Sequence, residues 1–542
     1  MSLEKKSDGF IMQAGILAMA GIICRIIGIL YRSPLAAIIG DEGNGYYGSA
    51  YNIYTIILLI SSYSIPAAIS KVIAGKLALK EYKNAQRIFY CAFIYVIVVG
   101  GCASLFAFFG AGFLVEQNAV MVLRVFSPTI FVSGLLGVLR GYFQAHKTMV
   151  QTSVSQILEQ ILNAIISIMA AYLLKQLVID RDPSTQAVYG AMGSALGTGA
   201  GVLIALAFMT FMYGMHKKEI KERIQKDEHK EVLQYSEIFK IIFSLVTPFI
   251  LSTFIYNFST SLDETIYRKI LKLMKDVDVS QIAIWYGVYS GKAVVISNIP
   301  IAIASAMSAA MIPSVSGKYA TGDVKGTRSK VHTAILTTML IAIPSMVGIF
   351  VLAEPVVSFL FPGQSNIPLA GALLRALSVT IVFYSLSTLT NAVLQGIGKV
   401  TTPVYHAAIA LVVQTLVLIP CLIFTDWNLY CIAIATIVYS FLMCVLNQRA
   451  VRKYLDYKQD MKKIFALPFL ASVIMGIVAY FAYKLFFSAL KSNVVSLLIS
   501  VAIAAFVYGV LILKLRVLNK DDILAMPKGK KLAGILAKLH LV

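Results

Sequence analysis

The sequence predicts an all-α polytopic membrane protein of about fourteen transmembrane helices, arranged as two parallel six-helix lobes followed by two C-terminal helices. Of its 542 residues, 58% are apolar and only 13% are charged, and the mean hydropathy is +0.80. Soluble domains are about a quarter charged, so a cytosolic enzyme, a disordered chain and a typical nucleic-acid binder are excluded. The apolar residues form long runs, whereas an outer-membrane barrel needs alternation. Short patterns that recur about 250 residues apart predict the two lobes.

Each apolar run is near the roughly 20 residues that a membrane-spanning helix needs. Only helices satisfy the backbone polar groups of such runs inside a bilayer. The first run is predicted to be a retained helix and not a cleaved signal, because it is long and contains Arg25. Pro66 and Pro313 interrupt the second and eighth runs close to one end. The fourteen runs lie at 10–33, 46–70, 86–110, 119–141, 149–174, 187–213, 238–263, 283–312, 330–353, 369–395, 402–424, 428–448, 464–487 and 493–515.

The formal net charge of +21 is explained mostly by topology. With the N-terminus inside, about 34 of the 47 Lys and Arg residues fall on the cytoplasmic side and about nine fall outside. This positive-inside asymmetry predicts a multi-pass membrane protein with both termini cytoplasmic. The inner basic loops predict some affinity for anionic membrane lipids, and no nucleic-acid partner is expected.

Two pairs of matching segments link helices six positions apart in the predicted order. The segment 65–76 (IPAAISKVIAGK) matches 312–323, and 138–150 (VLRGYFQAHKTMV) matches 393–404. Both pairs have the same predicted orientation, so two parallel lobes are expected, a plan shared by alternating-access transporters. The predicted domains are an N-lobe over 1–214, a cytoplasmic linker over 215–237, a C-lobe over 238–455, helices 13 and 14 over 456–518 and a basic cytoplasmic tail over 519–542.

Several cations fall inside the predicted helices, where an ionisable group usually faces a cavity or a partner. Counting about 1.5 Å per residue places Lys292 near mid-depth and both Arg25 and Arg375 in the middle-to-outer half. Arg124 lies nearer the outer surface and Arg32 at the outer interface. The last two are close enough to water to snorkel instead of binding a substrate.

Acidic residues are fewer inside the helices. They are Glu159 in the fifth run and the adjacent Asp263 and Glu264 at the outer end of the seventh, all candidate coupling groups or charge partners. Glu159 could equally pair with a nearby arginine. The cationic excess predicts an anionic substrate, because guanidinium and ammonium groups suit phosphate oxygens. The membrane potential, about 2.3 kcal/mol per charge per 100 mV, or a monovalent ion would drive its export. No metal site or cofactor is predicted.

The segments 25–54 (RIIGILYRSPLAAIIGDEGNGYYGSAYNIY), 64–71 (SIPAAISK) and 290–304 (SGKAVVISNIPIAIA) carry a family resemblance. They resemble the polysaccharide-biosynthesis, or oligosaccharide flippase, family of the multidrug/oligosaccharidyl-lipid/polysaccharide exporter superfamily. The branch with which they are most similar holds the stage V sporulation protein B-like and YtgP-like proteins, related to the MurJ lipid II flippases. The resemblance implies fourteen helices around a central cavity that opens alternately to each side, with a lipid-tail groove formed by the last two helices.

The resemblance also implies a substrate class and a set of site residues. The substrate would be an undecaprenyl-pyrophosphate-linked saccharide, with lipid II as the leading candidate. The cavity-facing cations of lipid II flippases, carried over by motif, correspond to Arg25, Lys71 and Lys292. Where those flippases have an Arg-Asp pair one turn after the first arginine, this chain has Tyr31 and Arg32, and its eighth-helix cation is lysine.

Two other functions remain as alternatives. A drug or organic-cation antiporter of the same superfamily would need acidic groups to dominate the cavity, which argues against it here, although Glu159, Asp263 and Glu264 keep it open. A membrane-embedded glycosyltransferase or polymerase is disfavoured, because the D-x-D triplets at 180–182 and 276–278 fall in predicted outer loops. No phosphate-binding glycine loop or metal-ligand cluster accompanies them. A transporter, and not an enzyme, is therefore predicted.

Overall fold

The computed structural model of the protein describes residues 3–63, 65–146, 148–225, 227 and 233–517. The fold is 89% helical, and the described residues include no β-strand. The predicted all-α class is therefore confirmed. The predicted basic tail over 519–542 lies outside the described residues.

Eighteen α-helices occur in the described residues. The first eight are α1 (Leu3–Leu58), α2 (Ile65–Ala78), α3 (Tyr82–Tyr95), α4 (Gly101–Phe109), α5 (Ala111–Leu114), α6 (Val120–Ala145), α7 (Met149–Gln176) and α8 (Pro183–Gln225). The others are α9 (Tyr235–Met274), α10 (Val279–Val288), α11 (Val294–Ala320), α12 (Val324–Val351), α13 (Ala353–Leu360), α14 (Ile367–Gly396), α15 (Thr401–Phe424), α16 (Leu429–Leu455), α17 (Leu467–Leu490) and α18 (Asn493–Lys514). Four π-helical turns also occur among the described residues, at Leu59–Tyr63, Val96–Gly100, Tyr289–Ala293 and Lys462–Ala466.

Helix α1 carries two of the predicted membrane crossings. The apolar stretch Met19–Ser61, which includes most of α1 and part of the π-helical turn after it, has 43 residues. At about 1.5 Å per residue it is roughly 65 Å long, about twice the thickness of the hydrocarbon core of a bilayer. The helix is interrupted at Gly40, whose φ of 70° lies in the left-handed region that glycine adopts without steric cost. Gly40 therefore separates the first predicted span from the second.

Twelve helical stretches of the described residues are long and apolar enough to cross a membrane. The first and second predicted runs share one of these stretches in α1. The seventh predicted run, 238–263, lies in α9, where the side chains of residues 244–257 are outside the described part of the chain. The remaining predicted runs each overlap one of the other eleven stretches. The chain is thus a multi-pass membrane protein.

The chain divides into two compact units. The first contains residues 1–268 and 277–287, and the second contains 269–276 and 288–542. The core of the first unit is built by apolar side chains of α1, α2, α3, α6 and α8. The core of the second is built mainly by α11, α12, α14 and α16. The lobe boundaries predicted from the repeat stay a prediction.

Glycines bring α7 and α8 into close contact in the first unit. Gly193, Gly197 and Gly201 recur every four residues along one face of α8. A Cβ atom on Gly193 would overlap Ala171, and one on Gly197 would overlap Ser167. One on Gly201 would lie 2.6 Å from the carbonyl oxygen of Glu159. This is the small-residue spacing that lets helix backbones approach each other in membranes, and it fixes the position of α7.

A second pair of glycines packs α10 against α1. A Cβ atom on Gly45 of α1 would overlap the backbone of Ala283, and one on Gly287 of α10 would overlap the carbonyl group of Asp41. Both helices present glycine at the point of contact, so the two backbones meet directly. This packing explains why residues 277–287 belong to the first unit.

Candidate substrate-binding site

The predicted cations of the first unit lie on α1, α2 and α6. Arg25 is exposed and Arg32 is half-buried, both in the part of α1 that precedes Gly40. Arg124 is half-buried on α6, and its guanidinium carbon lies 5.7 Å from the centre of the Phe108 ring. Lys71 lies on α2, but its side chain is outside the described part of the structure. The roles of these residues stay a prediction.

Polar and aromatic side chains surround Arg32. Tyr31 lies near Arg32 and near Asn163 of α7. Tyr47, from the part of α1 after Gly40, lies near Tyr31, Arg32 and Thr198 of α8. Because α7 and α8 are fixed by their glycine contacts, these partners are positioned by rigid elements. The cluster thus brings polar side chains of α1, α7 and α8 together.

Glu159 pairs with Arg140. The Arg140 Nη2 atom donates to Glu159 Oε2 at 2.7 Å, and Nε donates to Ser155 Oγ at 2.9 Å. The carboxylate of Glu159 is thus neutralised by a partner on α6. Pairing of Glu159 with a nearby arginine was one of the two expected alternatives, and Arg140, at the end of its predicted helix, is that partner.

Arg268 of α9 is the centre of a buried polar network in the first unit, and only 5% of it is exposed. Its Nε donates to Glu264 at 2.9 Å, its Nη1 to Glu116 at 2.9 Å and its Nη2 to the Gly45 carbonyl oxygen at 3.2 Å. The guanidinium carbon also lies 5.0 Å from the centre of the Tyr286 ring. Two carboxylates therefore surround one guanidinium.

Asn52 extends this network to α1. Its Nδ2 atom donates to Glu264 Oε2 and, at 3.2 Å, to the Tyr286 hydroxyl. Asp263, the neighbour of Glu264, is 4% exposed. Sequence reasoning did not find Arg268 as the partner of Glu264, although the spacing of four residues on one helix was a usable signal. Glu116, 152 residues from Arg268, left no such signal.

The second unit holds the other two predicted cations. Lys292 lies in the π-helical turn Tyr289–Ala293 and is completely buried, with its Nζ atom donating to the Ser365 carbonyl oxygen at 2.7 Å. Such π-helical turns often occur at functional sites. Arg375 is exposed on α14. A chain of polar side chains unforeseen from the sequence also crosses this unit: His406 contacts Asn447 at 2.7 Å, and Asn447 donates to Asn391 at 2.7 Å.

One loop ion pair lies outside the spanning helices of the second unit. Lys275 Nζ donates to Asp426 Oδ1 at 2.9 Å and to the Thr425 carbonyl oxygen at 2.5 Å. The hydrogen bond from Lys275 and its positive charge lower the pKa of the Asp426 carboxyl. No group of three or more metal-ligating side chains occurs among the residues that could be placed.

Comparison with known proteins places the chain in a family. The family model described as polysaccharide biosynthesis protein matches residues 11–317, and the MatE model matches 291–419. The lipid II flippase MurJ of Bacillus subtilis (strain 168) is 25% identical over 521 residues, covering 91% of this chain and 92% of that protein. Stage V sporulation protein B of the same organism is also 25% identical over 521 residues, with 94% and 96% covered.

Solved structures share the fold at low sequence identity. A lipid II flippase MurJ in an inward closed conformation aligns with a TM-score of 0.65 at 17% identity, covering 91% of this chain and 97% of that one. An inward-facing multidrug resistance MATE family transporter of the MOP superfamily aligns with a TM-score of 0.66 at 16% identity, covering 82% and 98%. With its family-model match over more than half of its length, the chain belongs to the polysaccharide biosynthesis protein family.

Proposed function

We propose that this protein is a flippase that moves an undecaprenyl-pyrophosphate-linked saccharide from the inner to the outer leaflet of the cell membrane by alternating access. Lipid II is the first candidate substrate, because a lipid II flippase is among the relatives that match over more than 90% of both chains. On this proposal the protein is a transporter and catalyses no covalent step.

The observation that carries the proposal is the charge balance of the first unit. The intramembrane acids Glu159 and Glu264 are already bonded to Arg140 and Arg268. Arg25 and Arg32 add positive charge to α1, where Arg25 is exposed and Arg32 half-buried. An anionic headgroup is the ligand that these two cations favour, and arginine binds phosphate oxygens with paired hydrogen bonds.

The membrane potential favours the export of an anionic substrate. With the cell interior negative, each negative charge carried outward gains about 2.3 kcal/mol per 100 mV. A pyrophosphate-linked saccharide could therefore be exported without a chemical energy source, and a coupled monovalent ion would add to this drive. The predicted orientation, with both termini cytoplasmic, is part of the proposal.

Complementation tests the function. The gene is expressed in a strain depleted of its lipid II flippase, together with Arg25→Gln and Lys292→Gln variants. We expect the wild type to restore growth and each variant to lose rescue at equal membrane abundance. Lys217→Gln, at an exposed position on α8, is the matched control and should rescue fully. Full rescue by both site variants would refute the cavity assignment. Failure of the wild type, with rescue of capsule or spore-cortex precursor export instead, would identify a different saccharide.

The second candidate is a cation-coupled antiporter of organic cations. The similarity to a multidrug MATE transporter over 82% of this chain and the MatE match at 291–419 favour it. Expression in a drug-sensitive strain separates the two functions: increased resistance to organic cations, abolished by Glu159→Gln, would support the antiporter. The flippase proposal requires resistance to remain unchanged.

A further inference from the structure

Three tyrosines and one phenylalanine form an aromatic cluster in the first unit. Tyr47, Tyr51 and Tyr54 lie on one face of α1 after Gly40, and Phe126 lies on α6. The Tyr47 and Tyr51 rings are stacked, with centroids 5.6 Å apart and an interplanar angle of 13°. Tyr54 stacks on Phe126 at 4.8 Å, and Tyr51 meets Phe126 edge-on at 5.9 Å. These contacts hold Tyr51 against the other three rings.

Burial changes steadily across this aromatic cluster. Phe126 is fully buried and Tyr54 is 4% exposed, whereas Tyr51 is 36% exposed. The inner rings therefore form a packed base, and Tyr51 presents part of its ring outward from that base. A ring held in this way loses little conformational freedom when a ligand stacks on it.

The space that Tyr51 borders is polar. Tyr47, which stacks on Tyr51, lies near Tyr31 and Arg32, and Tyr31 lies near Asn163. These neighbours belong to α1 and α7, while Phe126 belongs to α6. Three helices of the first unit thus contribute residues near Tyr51. Facing lipid, a phenol hydroxyl in the middle of a spanning helix would lack a hydrogen-bond partner, which is costly in hydrocarbon.

We propose that Tyr51 is a stacking platform for a sugar ring of the transported molecule, with Arg32 and Asn163 as hydrogen-bond donors to its hydroxyl or carboxylate oxygens. This inference rests on the proposed flippase function and deepens it. The C–H face of a pyranose carries slight positive charge and suits the electron-rich face of an aromatic ring. The same ring would also attract an organic cation, but the positive charge of Arg32, near the stacked Tyr47 ring, disfavours one. A saccharide can both stack on the ring and accept hydrogen bonds from the polar groups.

The test compares a probe that carries the complete saccharide headgroup with one that ends at the pyrophosphate. Affinities for lipid II and for undecaprenyl pyrophosphate are measured on purified protein in lipid nanodiscs. We expect Tyr51→Leu to weaken lipid II binding about fivefold, since aromatic contacts contribute about 1 kcal/mol beyond burial, and to leave undecaprenyl pyrophosphate binding unchanged. Tyr51→Phe, which keeps the ring, should bind lipid II nearly as well as the wild type does.

Controls separate this proposal from the proposed function. Tyr172→Leu, at a 53% exposed position on α7, should bind both probes as the wild type does. Equal weakening of both probes by Tyr51→Leu, or no weakening, overturns the platform. A wild type that binds undecaprenyl pyrophosphate as tightly as lipid II also overturns it while the flippase proposal stands. A wild type that binds neither probe overturns the flippase proposal itself.

Discussion

Arg268 shows how a single buried side chain can hold several elements together. Its guanidinium bonds two carboxylates and one backbone carbonyl group, and these partners come from α9, from the segment before α6 and from α1. A buried charge is tolerated only where opposite charges and hydrogen bonds compensate it. The network therefore depends on all of its members being present.

Replacement of Arg268 should be strongly destabilising. Arg268→Met would leave Glu116 and Glu264 without their cation, and removal of one partner of a buried pair costs about 3–5 kcal/mol. We expect a clear fall in Tm, measured by thermal unfolding of the purified protein in detergent. Glu219→Gln, in the exposed i,i+4 pair with Arg223, is the control and should change Tm little. An unchanged Tm for Arg268→Met would contradict the compensation described here.

The Arg140–Glu159 pair should show measurable coupling. Both side chains are partly buried, so the interaction is stronger than an exposed ion pair, and we expect a coupling energy of about 1 kcal/mol. A double-mutant cycle of Arg140→Gln and Glu159→Gln, followed by thermal unfolding, measures it. Additive single effects would show that the two charges do not stabilise each other.

At the scale of elements, the three close contacts of α8 with α7 depend on glycine. Gly197→Ala should destabilise the protein, because the added methyl group overlaps Ser167 and the two helices must separate. Gly214→Ala on the same helix meets no atom within 4 Å and should be neutral or slightly stabilising, since alanine favours a helix. The Tm values of the two variants, measured by thermal unfolding, test whether only Gly197→Ala is destabilising. Equal Tm values would mean that α7 and α8 do not need close contact.

The spans could be predicted from hydropathy, but the role of each glycine could not. The segment DEGNG (41–45) predicts a loop between the first two spans, and in the structure only Gly40, just before it, leaves the helical region. Gly43 and Gly45 instead lie in helical close contacts with Ala187 and Ala283. Glycine permits both a turn and a close approach, and the sequence alone does not distinguish these uses.

The same limit applies to the candidate site. The cations on α1 could be identified because charge is rare inside apolar runs. Their neighbours could not, since Asn163 and Thr198 come from helices more than a hundred residues away in sequence. The pairing of Glu159 with Arg140 likewise depends on how α6 and α7 pack, which hydropathy does not describe.

For the whole molecule, the charge distribution predicts one orientation in the membrane. A cysteine at Lys217, on the predicted cytoplasmic side, should resist a membrane-impermeant maleimide in intact cells. A cysteine at Asp426, whose side chain is fully exposed in a predicted outer loop, should react. Labelling is compared with that of the parent protein, which has six cysteines of its own. The reverse pattern would place both termini outside.

Two hydrogen bonds near the predicted cytoplasmic side attach residues between α8 and α9 to α3. The Lys83 backbone N–H, at the start of α3, donates to Asp227 at 2.6 Å, and the Leu233 N–H donates to Asn84 at 2.9 Å. The carboxylate of Asp227 lies where the dipole of α3 favours negative charge. This connection is therefore fixed to α3 near both of its ends.

The membership of residues 277–287 in the first unit also constrains the order of assembly during synthesis. Domains generally fold as units, the N-terminal ones first, while the ribosome is still adding residues. Gly45 and Asp41 cannot form their close backbone contacts until Ala283 and Gly287 have been synthesised. Likewise, the Glu116 carboxylate needs Arg268 as its partner, and the Asn52 amide needs Tyr286. A nascent chain released after residue 237 would lack these partners, whereas one released after residue 290 would contain them all. The ribosome must therefore translate more than half of the chain before the first unit can form all of these contacts.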